Sequence, residues 1–132
     1  MADKPWKRVE REKCTALGGT RTGPRGFGLP DCVGLEIGLE VKYVKKYVFL
    51  TADWEQAIEN AERIGKPPVL AVKEANKRGG RDCVQMFEAD YSRLRVAAGQ
   101  PAYPFGWTNE PTRMSWGHFE RLYRAAYIDN KE

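Results

Sequence analysis

The clearest pattern in the chain lies between residues 35 and 42, where Leu35, Ile37, Leu39 and Val41 alternate strictly with Glu36, Gly38, Glu40 and Lys42. A period of two marks a strand with one apolar and one charged face. Residues two apart on such a face are about 6.6–7 Å from each other, so Glu40 and Lys42 are expected to project side by side. Pro30, Asp31, Cys32 and Val33 read as a short preceding strand. A tight turn around Gly34 would fold it back and bring Asp31 toward the charged face.

Helical periodicity flanks this hairpin. Between Trp6 and Leu17, the residues Trp6, Val9, Ala16 and Leu17 gather on one side at about 100° per residue, and Gly18-Gly19 stops the helix. Glu10 falls inside that apolar stripe, whereas Glu12 lies outside it and is expected in solvent. A carboxylate among apolar residues needs a partner, which for Glu10 could be Lys13 or an arginine. Further on, Trp54, Ala57, Ile58, Ala61 and Ile64 repeat at helical spacing behind a Thr51 or Asp53 cap, and Gly65 with Pro67-Pro68 ends the run. Val69 to Val72 and Cys83 to Phe87 read as strands. Tyr91 to Ala98 reads as a helix, residues 99 to 111 as a loop, and Ser115 to Tyr127 as the final helix. These elements predict one α/β domain over residues 1–132, with a mixed central sheet flanked by helices. Its core would span about residues 6–90, with a helical addition over about 91–132.

Charge sharpens this picture through its distribution. Residues 1 to 50 carry ten Lys/Arg against six Asp/Glu, while residues 51 to 132 are balanced, so the whole net charge of +4 resides in the first 50. A glycine-rich basic loop from Gly18 to Gly28 contains Arg21 and Arg25, and Lys45 and Lys46 follow the alternating strand. The loop precedes a strand and carries no Gly-Lys-Ser/Thr, which excludes a Walker phosphate loop. A polyanion such as nucleic acid fits this end of the molecule, with Arg21, Arg25, Lys45 and Lys46 as the candidate backbone contacts.

Other classes drop out. No run approaches the roughly 20 apolar residues that span a bilayer, and no secretory block opens the chain, so the expectation is a cytoplasmic protein without a membrane partner. Cys14, Cys32 and Cys83 are odd in number and widely spaced, which predicts reduced, partly buried thiols. A single histidine, His118, excludes nuclease fingers that need several. Trp107, Trp116, Tyr123 and Tyr127 are expected in the core or in subunit contacts rather than as platforms for bases.

The remaining charged residues suit one chemistry. Hydrolysis of a phosphodiester needs a neutralised phosphate and a hydroxide at neutral pH, both of which a carboxylate-held Mg²⁺ supplies. Asp31 and Glu40 offer the hard oxygen ligands that Mg²⁺ prefers. Lys42 on the same face can orient the attacking water and offset charge in the transition state.

Pro30-Asp31, eight intervening residues and Glu40-Val41-Lys42 together resemble the signature of the PD-(D/E)XK nuclease superfamily. The helix segment Trp6-Lys7-Arg8-Val9-Glu10-Arg11 and the following Leu17-Gly18-Gly19-Thr20-Arg21 resemble the start of its small Holliday-junction-resolvase-like members. The resemblance covers roughly residues 6 to 73. It implies a restriction-endonuclease-like core and one or two Mg²⁺ ions, replaceable by Mn²⁺, at Glu10, Asp31, Glu40 and the Val41 carbonyl. It also implies a polar Gln56 near the site, branched or structured DNA as substrate, products with 5′-phosphate ends, and a homodimer. Two alternatives stand beside it: a non-catalytic nucleic-acid-binding module that keeps the fold, and a restriction-type or phage endonuclease.

Overall fold

In a computed structural model of the chain, residues 4–21, 32–75, 79–104 and 108–129 are described. The elements run α1 (Pro5–Ala16), β1 (Thr20–Arg21), β2 (Cys32–Val33), β3 (Gly38–Val44), α2 (Thr51–Arg63), β4 (Pro68–Glu74), β5 (Asp82–Phe87), α3 (Glu88–Ala97), β6 (Pro111–Ser115) and α4 (Trp116–Tyr127). The six strands form one sheet in sequence order, β1-β2-β3-β4-β5-β6. It is mixed: β3 and β4 are parallel, and the other neighbours are antiparallel. The fold is therefore the α/β arrangement expected, a mixed sheet flanked by helices.

Parallel strands need a crossover, and α2 supplies the one between β3 and β4. Leu70 and Val72 of β4 pack against Ala57 and Trp54 of α2. On the opposite face, Leu39 and Val41 of β3, Val69 and Ala71 of β4, and Val84 and Met86 of β5 pack in one cluster with Val9, Leu94, Phe119 and Leu122. Both sides of β3 and β4 are thus covered, as parallel pairs usually are.

The expected hairpin forms, with Cys32 opposite Leu39 and Gly34 at a φ of 83° in the turn. The strand itself starts later than its alternation suggests. Leu35 and Ile37 are buried, but residues 34 to 37 form a bend that is held where the backbone N–H of Glu36 donates to the Tyr123 hydroxyl at 2.9 Å. Likewise α2 begins at Thr51 with Leu50 as its cap and no side-chain cap bond. Thr51 and Asp53 lie in its first turn, where an acidic side chain suits the helix dipole.

Residues 91 to 132 are more than a helical addition. Pro111 to Ser115 form a strand that pairs with β5 along its length, Cys83 to Phe87 opposite Ser115 to Pro111. Phe119, Leu122 and Tyr123 of α4 enter the main core. Ser115 caps α4 by accepting from the His118 backbone N–H at 3.1 Å, and the His118 Nε2 meets the Tyr91 hydroxyl at 2.8 Å.

Side-chain links tie α1 to the sheet. Lys13, only 5% exposed, donates to Asp82 of β5 at 2.6 Å and lies 3.9 Å from the centre of the Trp116 ring. Burial pushes its pKa below the ordinary lysine value, against the pull of Asp82. The second link corrects the cysteine expectation: Cys14 of α1 and Cys32 of β2 are joined in a disulfide across 18 residues, and Cys83 is the free thiol. Wide spacing along the chain concealed the fact that the hairpin carries Cys32 back against the helix, to a Cα–Cα distance of 5.6 Å.

Gly19 sits in this junction. A Cβ there would fall 2.5 Å from the Cys32 Sγ and 2.7 Å from Leu35 Cδ2, and a bridged sulfur cannot swing away. Gly19→Ala should therefore lower stability by about 1–3 kcal/mol through overpacking, seen as an earlier urea midpoint. An unchanged midpoint would refute the close packing. Alkylation of the oxidised, denatured chain should label one cysteine, and three after reduction; reduction should cost about 2–4 kcal/mol of stability. Three labels without reductant would show that the bridge does not form.

Candidate functional site

The charged side of β3 faces α2 rather than solvent. Glu40 stands beside Leu70 and Lys42 beside Val72 in the parallel register, and those two β4 residues are the ones covered by α2. Glu40 is consequently only 3% exposed. An ionised carboxylate so placed is costly unless hydrogen bonds replace its water. Asn60 of α2, itself 6% exposed, donates its amide Nδ2 to the Glu40 Oε1 at 2.9 Å. The Asn60 carbonyl in turn accepts from Arg63 Nη1 at 3.3 Å, and Arg63 Nη2 pairs with Glu59 at 2.8 Å. The result is a relay of oriented dipoles, Arg63 to Asn60 to Glu40.

Next along the strand, Lys42 Nζ donates to Gln56 Oε1 over a long 3.5 Å. The two contacts are in step for a geometric reason. Four residues of helix rise about 6 Å, and two residues of strand advance about 6.6–7 Å. An antiparallel helix can therefore set Asn60 against Glu40 and Gln56 against Lys42 at once. Gln56 thus stands on α2 within reach of Lys42. Asn60 was missed, although a signal existed: it interrupts the apolar stripe of Ala57, Ala61 and Ile64, as Glu10 interrupts that of α1.

Glu10 has a different setting. Its Oε2 accepts from Arg21 Nε at 2.7 Å, with side-chain exposures of 12% and 24%. Arg21 also lies 5.8 Å from the Trp6 ring centre. This is the arginine pairing that a carboxylate on an apolar stripe can take, and it draws Arg21 into the α1–β1 joint rather than leaving it on a free basic loop. The side chain of Val41 is buried in the main core on the other face of the strand, and its backbone runs beside Ala71 of β4. Lys45 and Lys46 are exposed just beyond β3.

Asp31 and Arg25 lie outside the described residues. What is described is the residue after Asp31: Cys32 stands opposite Leu39, the immediate neighbour of Glu40. Among the described residues, no group of three His, Cys, Asp or Glu side chains gathers in a way that could hold a metal ion. The described residues thus bring together Glu40, Lys42, Gln56 and Asn60, and separately Glu10 with Arg21. Among them no helix is long and apolar enough to cross a membrane.

No protein-family model matches the chain, and no curated protein matches its sequence.

The Glu40–Asn60 bond carries a measurable consequence. Asn60→Ala removes the donor from a buried carboxylate and should destabilise the fold by about 1–3 kcal/mol. Gln56→Ala, at an exposed position, should stay within about 0.5 kcal/mol of wild type. Equal effects in urea titrations of the two variants would mean that Asn60 does not sustain Glu40.

Proposed function

We propose that this protein is a Mg²⁺-dependent endodeoxyribonuclease that hydrolyses phosphodiester bonds in branched or structured DNA, in the manner of the small resolvase-like nucleases it resembles. The observation that carries the reading is the pairing of Glu40 with Lys42 on one face of a central strand, with Glu40 buried and oriented by a neutral amide. A metal ligand benefits from a carboxylate held in one orientation by a hydrogen bond from behind.

When bound, Mg²⁺ would neutralise phosphate charge and lower the pKa of a coordinated water. Carboxylate oxygens and a backbone carbonyl are what Mg²⁺ takes: Asp31, Glu40 and the Val41 carbonyl would hold it, and Glu10 would add a carboxylate only by giving up its Arg21 partner. Asn60 holds Glu40 in one rotamer, and Arg63 polarises that amide. Lys42, steadied by Gln56, orients the attacking water and offsets the charge that builds on the phosphate. Lys45 and Lys46, exposed beyond the same strand, meet the backbone of the substrate, and a homodimer would place two such sites for paired nicks.

A gel assay with Mg²⁺ tests the proposal on a four-way junction, a splayed duplex, linear duplex and single strands. Wild type should nick the junction symmetrically. Asp31→Ala and Lys42→Ala should each lose at least about a hundred-fold in rate, the scale of removing a general acid–base or charge-stabilising group, while still binding DNA. Cutting confined to other substrates would remove the junction preference and keep the nuclease. Folded, DNA-bound protein that cuts nothing with Mg²⁺ or Mn²⁺ would replace the enzyme by a non-catalytic nucleic-acid-binding module.

A further inference from the structure

The face of the sheet that carries Glu40 and Lys42 continues across β4 to β5 and β6, where α2 gives way to the segment after β3. Gln85 of β5 stands beside Leu70 on one side and Arg113 of β6 on the other, so all three share this face. Tyr47 lies over it, its phenol against the Cys83 thiol. Phe49 follows, its ring edge-on to that of Tyr47 with centroids 5.9 Å apart.

Each ring carries an arginine. The Arg81 guanidinium lies 4.3 Å from the Tyr47 centroid, and that of Arg113 lies 4.3 Å from the Phe49 centroid. Neither is hidden: the Arg81 side chain is 63% exposed and Arg113 is exposed. Both are also held from behind. Arg113 Nε donates to Gln85 Oε1 at 2.8 Å, and Arg81 Nη2 meets Glu74 at 3.4 Å, a carboxylate only 7% exposed itself. A guanidinium stacked on a ring and tethered at one edge loses little further freedom when its other N–H groups bind an oxyanion. Lys45 and Lys46, at the start of the same segment, are exposed.

We propose that Arg81 and Arg113, held on Tyr47 and Phe49, form with Lys45 and Lys46 a docking track for the phosphodiester backbone of DNA, leading across the sheet to Glu40 and Lys42. The choice of DNA as the polyanion rests on the nuclease reading; the charge of the track does not. Adjacent strands are about 4.8 Å apart, so the two arginines, one just before β5 and one on β6, lie about 10–15 Å from the strand that bears Lys42. That is close enough for one bound duplex to touch both. Arginine suits this role because its planar fork matches phosphate oxygens.

The test is binding without cleavage, by fluorescence anisotropy of labelled duplex and four-way junction in EDTA. Wild type should bind both. Arg81→Glu with Arg113→Glu should weaken binding on the order of ten-fold or more at moderate salt, and the slope of log affinity against log salt should fall by about two. Arg81→Lys with Arg113→Lys, which keeps charge but loses the flat stack, should fall between. Arg121→Glu, exposed on α4 across the sheet, should change affinity by less than about two-fold, as expected for a charge outside the contact. Should the double glutamate variant fail to fold, Arg81→Gln with Arg113→Gln serves in its place. Wild-type affinity and salt slope in the double variant, an equal loss in Arg121→Glu, or no DNA binding by wild type would each overturn the track. Mg²⁺-dependent cutting with binding indifferent to the two arginines would discard the track and keep the nuclease. Binding that requires them, without cutting, would keep the track and discard the nuclease.

Discussion

Everything around the candidate site depends on the parallel pairing of β3 with β4. Because α2 must cross between them, it lands on the face that the β3 sequence fills with Glu40 and Lys42. The crossover thus buries a carboxylate that an antiparallel hairpin would have left in water. The cost of that burial is met locally. Asn60 supplies a hydrogen bond from a neutral group, and Arg63 stands behind it at the helix end, half exposed, where its charge is well solvated. A direct buried ion pair would have faced the larger penalty of removing two charges from water.

The opposite face has a different logic. There Leu39 and Val41 join residues from α1, β4, β5, α3 and α4 in one continuous apolar cluster. The polar links lie at its rim: Lys13 to Asp82, Glu10 to Arg21, and the Tyr123 hydroxyl to the Glu36 backbone. β3 is consequently a partition. One of its sides closes the main core, and the other carries the candidate site on a rigid support, where side-chain geometry is best controlled.

How much of this could be read from the chain follows from which interactions are local. Strands of strict alternation and helices of clear stripe emerged within a few residues of their positions, since periodicity is a local property. β6 did not: Pro-Thr-Arg-Met-Ser alternates weakly, and its status as a strand comes from pairing with β5. The Cys14–Cys32 bridge was misread because spacing carries no information about a hairpin that returns to a helix. At the candidate site, alternation put Glu40 and Lys42 side by side on one strand face, and the resemblance put Gln56 on the helix that follows; the fold brings Gln56 to Lys42. Asn60 was not singled out: its place on the apolar stripe of α2 was visible, but its partner on β3 was not. The aromatic segment of Tyr47 and Phe49 was passed over for the same reason, since its partners Arg81 and Arg113 are 34 and 64 residues away.

Strand order has a bearing on how the chain is made. Each strand neighbours the one synthesised just before it, so a nascent sheet could in principle grow by addition to one edge as it leaves the ribosome. Completion is another matter. The C-terminal end of α1 is covered by the last helix: Arg124 donates to the Ala16 carbonyl at 2.8 Å, Ile128 approaches Gly18, and Phe119 and Tyr123 fill the cluster that contains Val9 and Leu17. The first helix therefore has no finished seat until the last has emerged. A sheet that grows from one edge is closed by the meeting of α1 with α4, and this makes cooperativity a property of the whole domain rather than of any part.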